Sequence, residues 1–200
     1  MAYFIVGLGN PGEEYDDSRH NTGRMIVDSF HKKISKDYDF SAWKFDQKLS
    51  AQKSTGKIGT QSVTLLLPDT FMNNSGKSVK PLITSVKQAH NLVVVHDDID
   101  LPLRVLKIVW NRGTGGHRGV ESITKAIKTE EFVRIKIGVS PSTPSGKVKK
   151  PQGEEKVVNF ILGKFKSTDQ EIFKKVSKRA IEALATIVEE GKERAMNLFN

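Results

Sequence analysis

Cysteine is missing from the 200-residue chain. Disulfides, thiolate metal sites and a cysteine nucleophile are thereby excluded, and the absence agrees with a reducing compartment. No apolar run approaches the ~20 residues that a membrane-spanning helix needs. The opening stretch from Met1 to Asn10 is apolar but short, has no basic region before it and breaks at Gly9-Asn10-Pro11-Gly12. It reads as a first strand rather than a secretory leader, so a cytoplasmic location without membrane contact is expected. There is no G-x-S-x-G elbow to present a serine, and the five histidines form no H-E-x-x-H pair for zinc. Internal repeats are also lacking.

What the chain has in excess is positive charge: 32 Lys and Arg stand against 23 Asp and Glu, a net +9. Basic domains bind polyanions by releasing counterions from neutralised phosphates. A charge of this size is equally compatible with plain solubility, so it indicates a class of partner and nothing finer.

Apolar runs closed by glycine, proline or polar residues predict strands over 3–8, 49–55, 62–67, 92–95, 104–110 and 132–140. Helices are predicted over 19–36, where Ile26, Phe30 and Ile34 share a face, and over 75–88, bent or started late because Pro81 lacks an amide donor. A glycine-rich turn over 113–119 opens a short helix ending near Lys128. A last long helix starts at Ser167, with Gln170 at capping-box spacing, and stops at Gly191. Strands alternating with helices imply an α/β fold: a single domain over 1–200 with a mixed, mostly parallel β-sheet flanked by helices on both faces. The segment 140–155, rich in Ser, Pro, Gly and Lys, reads as a basic lid or as an ordinary solvated loop.

Gly7-Leu8-Gly9-Asn10-Pro11-Gly12 matches G-x-G-x-x-G after a predicted strand. A dinucleotide site also needs a helix whose amides face the pyrophosphate. Here Pro11 removes an amide, and Glu13, Glu14, Asp16 and Asp17 place four acids where phosphates would sit. The loop makes better sense as a turn that presents Asn10, whose carboxamide both donates and accepts.

Several predicted strands run into polar residues of chemical interest. One leads to Asn10, another through Pro68 to Asn73, and a third to His96 and Asp97. If these strands are parallel, their ends converge on one edge, the place where open α/β sheets bind ligands. His20, at the head of the first helix, returns to that edge. A His-Asp pair holds an imidazole in one tautomer and stabilises its protonated form, and carboxamides can hold a carbonyl oxygen or a water. With no serine or cysteine in place, water is the natural nucleophile and His20 its general base. Plainer roles exist for each residue. Asn10 can serve turn geometry, Asn73 can cap a helix, His20 can be an exposed helix residue, and Asp97, Asp98 and Asp100 can bind a divalent ion, although no second ligand set accompanies them.

The motifs taken together resemble those of the bacterial-type peptidyl-tRNA hydrolases. The matching segments are Ile5 to Gly12 with Tyr15, Arg19-His20-Asn21, Thr70-Phe71-Met72-Asn73 with Ser75-Gly76, His96 to Pro102, Gly115-Gly116-His117, and Phe160 to Gly163. Each is weak alone; all of them in order over one domain are specific. The resemblance implies a monomeric enzyme with no cofactor and no metal. It would cut the ester between a peptide and the 3′ end of tRNA, bind the acceptor stem, and spare aminoacyl-tRNA with a free amino group. On that basis His20 is the base, Asp97 its orienting partner, Asn10 and Asn73 the holders of the tRNA 3′ end and peptide carbonyl, and Met72 part of the peptide channel. Tyr15, Asn21 and His117 fall among the expected substrate or tRNA contacts.

Two positions depart from the family pattern. Arg118 stands where an asparagine that closes the substrate groove is usual, and an arginine there can instead pair with a phosphate of the acceptor end; Val109 stands where a lysine often contacts the tRNA 5′ phosphate. Lys107 shares the strand face with Val109 and is the first replacement, with Arg112 a second. Arg134 and Lys136 occupy the other expected basic region and alternate with apolar residues, so both are expected to point away from the core. These departures motivate a second reading, an RNA-binding relative with weakened catalysis. The presence of His20, Asp97, Asn10 and Asn73 argues against it.

Overall fold

A computed structural model describes all 200 residues. In chain order the strands are β1 (Ala2–Gly7), β2 (Lys44–Asp46), β3 (Ala51–Ile58), β4 (Gln61–Pro68), β5 (Leu92–Pro102), β6 (Leu106–Trp110) and β7 (Val133–Ser140). The helices are α1 (Thr22–Ile34), α2 (Ser75–Val79), α3 (Val86–Ala89), α4 (Arg118–Ile127), α5 (Glu154–Leu162), α6 (Ser167–Glu190) and α7 (Lys192–Phe199). Short 3₁₀ turns precede three functional segments, at Glu13–Tyr15, Arg19–Asn21 and Met72–Asn74.

The seven strands form one sheet in the order β2-β3-β4-β1-β5-β7-β6. The four central strands run parallel, in the ladders β4–β1, β1–β5 and β5–β7. The flanking ladders β2–β3, β3–β4 and β6–β7 are antiparallel. The expected mostly parallel sheet is therefore corrected: antiparallel pairs match parallel ones in number. The cause is local. A two-residue turn with Gly59 at φ 55° folds β3 back on β4, and such tight hairpins can only join antiparallel strands. The central strands, covered on both faces, are continuous apolar runs, as parallel strands must be.

Helices do cover both faces, unequally. One face carries a core of 30 buried residues drawn largely from the strands, α1 and α6. The other carries 14, under α2 and α4. The lighter side leaves the carboxyl ends of β1, β4 and β5 open, which is where the polar residues gather. Among the boundaries, Pro81 separates two short helices where one long one was expected. The Ser167 cap is not formed: Lys166 is the N-cap, and no side chain caps the helix. Gly191 ends α6 as expected, but the chain continues into α7. No helix is long and apolar enough to cross a membrane.

Candidate active site

Glycine at 23 is what brings the first helix to the strand ends. A Cβ there would lie 2.1 Å from the carbonyl oxygen of Val95, so only glycine lets the first turn of α1 rest on β5. His20, one residue into the turn before α1, consequently reaches Asp97 on β5: its Nδ1 lies 2.9 Å from Asp97 Oδ1, both residues being buried.

A second histidine reaches the same oxygen. His117 Nε2 lies 3.0 Å from Asp97 Oδ1, while His117 Nδ1 accepts from the backbone N–H groups of Gly119 and Val120 and so caps α4. The cap assigns the tautomer: Nδ1 is an acceptor, so the proton sits on Nε2 and is donated to Asp97. His20 donates through Nδ1, which leaves its Nε2 lone pair without a protein partner, on a side chain that lines the cleft. A third histidine, His96, donates from Nδ1 to the Asp97 backbone carbonyl at 2.7 Å; its Nε2 is buried without a partner.

Burial alone would raise the carboxyl of Asp97. The charges of His20 and His117 and the hydrogen bonds from both outweigh it and hold Asp97 well below the usual carboxylate range. Burial pushes the His96 imidazole well below its ordinary value, reinforced by His117 and Arg134. The cluster is thus a fixed carboxylate with one neutral imidazole behind it and one imidazole, His20, presenting a basic nitrogen outward.

Around this centre lies a cleft of about 560 Å³. Asn10, Met72 and Asn73 line it, as do Arg118 and His117. Asn10 is held by three bonds. Its N–H donates to Asn21 Oδ1, its carbonyl accepts from Asn21 Nδ2, and its side-chain oxygen accepts from the Met72 N–H at 2.8 Å. That leaves the Asn10 NH₂ group free of protein partners. Asn73 is exposed and caps nothing; the N-cap of α2 is Asn74. Gly119 makes room for Met72, whose sulfur would lie 2.4 Å from a Cβ at that position.

Other expected contacts are placed differently. Asn21 is 1% exposed and spends its side chain on Asn10, so it positions that loop and does not line the cleft. Tyr15 stays outside the cleft lining and packs edge-on against Phe71, which is in it. His117 lines the cleft with both ring nitrogens engaged. Arg134 does not point to solvent. It is 2% exposed and donates to the carbonyls of Arg112 and Gly113, tying down the glycine turn before α4. The reason is register: Arg134 sits beside Val94 and Val109 on a sheet face that the turn covers. Lys136 pairs with Asp98 at 2.5 Å. Lys107 is exposed on β6, outside the cleft.

Sequence reasoning singled out Phe160 to Gly163 but missed the helix that makes this stretch a wall. Helix α5 supplies Val157, Val158, Ile161 and Leu162 to the cleft, and Glu154 to its mouth. Arg19 holds α5 in place: its guanidinium lies 4.4 Å from the Phe160 ring centroid and donates to the carbonyls of Phe160 and Gly163. The signal was present in the spacing of those four apolar residues, which fits a helical face. At the mouth Arg118 is ion-paired with Glu154; Lys150 pairs with Asp100 outside the cleft lining, and all four are well exposed.

His20, Asp97 and His117 each offer one atom within 4.8 Å of the others, a spacing a metal ion could use. Here the histidine nitrogens facing Asp97 act as N–H donors, whereas a metal needs their lone pairs. The arrangement is that of a hydrogen-bonded carboxylate.

The sequence matches the family model described as peptidyl-tRNA hydrolase over residues 4–200. Among curated relatives, the peptidyl-tRNA hydrolase of Aquifex aeolicus is 36% identical over 197 residues, covering 98% of this chain and 95% of the relative. That of Dehalococcoides mccartyi is 37% identical over 198 residues, covering 98% of each. Among solved structures, the peptidyl-tRNA hydrolase of Acinetobacter baumannii superposes with a TM-score of 0.85 at 32% identity, covering all of this chain and 94% of the other.

Proposed function

Because the chain belongs to the peptidyl-tRNA hydrolase family, we propose that it cleaves the ester of peptidyl-tRNA with a water molecule activated by His20. The observation that carries this reading is the one-sided imidazole: Nδ1 is fixed on buried Asp97, and Nε2 is free at the cleft.

Water held between His20 Nε2 and the ester loses a proton to that nitrogen as its oxygen bonds to the carbonyl carbon. Asp97 stabilises the imidazolium that results. The carbonyl oxygen takes up negative charge, and the free NH₂ of Asn10, with the exposed carboxamide of Asn73, supplies donors for it. Collapse breaks the bond to the ribose oxygen, which leaves with the proton returned by His20. The products are a peptide with a free carboxyl group and a tRNA with its terminal hydroxyl restored. No cofactor enters these steps. The apolar wall of Met72, Val157, Val158 and Ile161 suits the peptide, and basic residues outside the cleft suit the acceptor stem. The working unit is a monomer in the cytoplasm, folded as one domain; of the 140–155 segment Ser140 ends β7 and Glu154 opens α5, and the stretch between them serves as the lid.

Replacing His20 by Ala tests the assignment. Release of peptide from peptidyl-tRNA should fall by roughly 10²–10⁴-fold with the thermal transition retained. Turnover at the wild-type rate would defeat it. Tight tRNA binding by wild-type protein without turnover would favour the RNA-binding alternative.

A further inference from the structure

A second groove opens beside the cleft, between α2 and α4, and shares Asn73 and Arg118 with it. A strand leaving the reaction centre between those two side chains therefore enters the groove directly. Its walls carry Lys77 and Lys125, both exposed and without an acidic partner, and one carboxylate, Glu121. Arg118 stands at the junction, bound to Glu154 by an exposed pair. Exposed pairs contribute little net stability, so a phosphate can displace Glu154, and a guanidinium is shaped to grip phosphate with two donors.

The distribution of cations elsewhere strengthens the case. At the β6–β7 edge Arg134 is buried on loop carbonyls, Lys136 is held by Asp98 and position 109 is Val, which leaves Lys107 and, just past the end of β6, the exposed Arg112. Neither of these lines the cleft, whereas the groove that holds Lys77 and Lys125 is joined to it through Asn73 and Arg118.

We propose that this groove seats the phosphodiester backbone of the last nucleotides of the RNA, with Lys77 and Lys125 along it and Arg118 exchanging Glu154 for a phosphate. The inference rests on the hydrolase reading and adds the path of the 3′ strand.

Binding of deacylated tRNA, intact or trimmed of its last three nucleotides, tests it over a salt series. The double variant Lys77→Gln/Lys125→Gln should bind intact tRNA about tenfold more weakly. Its log–log salt slope should fall by roughly 1.4, two single-strand contacts at about 0.7 each, while trimmed tRNA binds as it does to wild type. Glu154→Gln, which frees Arg118, should tighten intact tRNA only. Equal weakening on both RNAs would mean a general field and no seat, and unchanged binding of intact tRNA would also overturn the proposal. Wild-type turnover of peptidyl-tRNA in parallel separates the two ideas, because the groove can fail while hydrolysis stands.

Discussion

The floor of the cleft and its mouth are built on opposite principles. At the floor, Asp97 Oδ1 accepts from two histidines, the backbone carbonyl of Asp97 accepts from a third, and His117 is fixed in turn by the helix it caps. At the mouth, Arg118–Glu154 is an ion pair between exposed side chains, and Lys150–Asp100, outside the lining, is another of the same kind. Charges removed from water are held in one geometry, because leaving any of them unpaired costs several kcal/mol; charges in water are exchanged cheaply. The floor is suited to holding a proton-transfer geometry, and the mouth to trading protein partners for substrate.

Asp97→Asn should produce the largest break in that contrast. It keeps the shape of the floor but removes the charge that stabilises protonated His20, and kcat on peptidyl-tRNA should fall by about 10⁴-fold, the loss seen when other orienting aspartates become amides. Its acid response should change too. Because the folded carboxyl is depressed, its contribution to stability is complete above the ordinary value of about 3.9 and is lost as pH falls through the lower folded value. The variant should lose less stability than wild type on going below pH ~4, read by urea unfolding.

Arg134→Gln comes next. It removes the donors that hold the carbonyls of Arg112 and Gly113, and roughly 1–3 kcal/mol of stability should go with them. If the turn belongs with the rigid floor, KM and kcat should both worsen; if only stability moves, the boundary between floor and mouth lies inside the turn.

His96→Asn sharpens the comparison by pH. The asparagine can still donate to the Asp97 carbonyl but does not titrate. His96 is depressed by burial, so the unfolded chain binds the extra proton, and wild-type stability falls as pH drops below about 6.5. Melts from pH 7 to 5 should show a shallower fall in the variant. Equal slopes would mean His96 is not held neutral.

Legibility from sequence followed the same division. The floor could be read because Asn10, Asn73 and Asp97 follow apolar runs and His20 heads the first helix, and parallel pairing of β1 with β4 and β5 follows from their double burial. Asn21 and Arg134 were read as substrate contacts because a polar residue beside a motif looks the same whether its bonds go outward or back into a loop; only the register of β7 and the turn reveals the direction. The β3–β4 hairpin was signalled by Gly56 and Gly59 between two strand runs, whereas the antiparallel edge β6–β7 was not, because its strands are joined through α4 and no turn marks their direction. Helix α5 is short and lies between a basic loop and Gly163, so its apolar spacing stands out only once Arg19 ties it to the 19–21 turn.

The smallest expected effect belongs to the mouth. Glu154→Gln breaks the exposed pair there and Asp100→Asn its counterpart outside the lining, and each should leave the denaturant midpoint close to wild type. The effect should shrink further at high salt, because exposed charges are screened over roughly 10 Å at 0.1 M ionic strength. Denaturant melts at low and high salt measure this directly. A large fall in the midpoint that persists at high salt would show that the mouth is held as tightly as the floor, and Arg118 would then have no cheap partner to release.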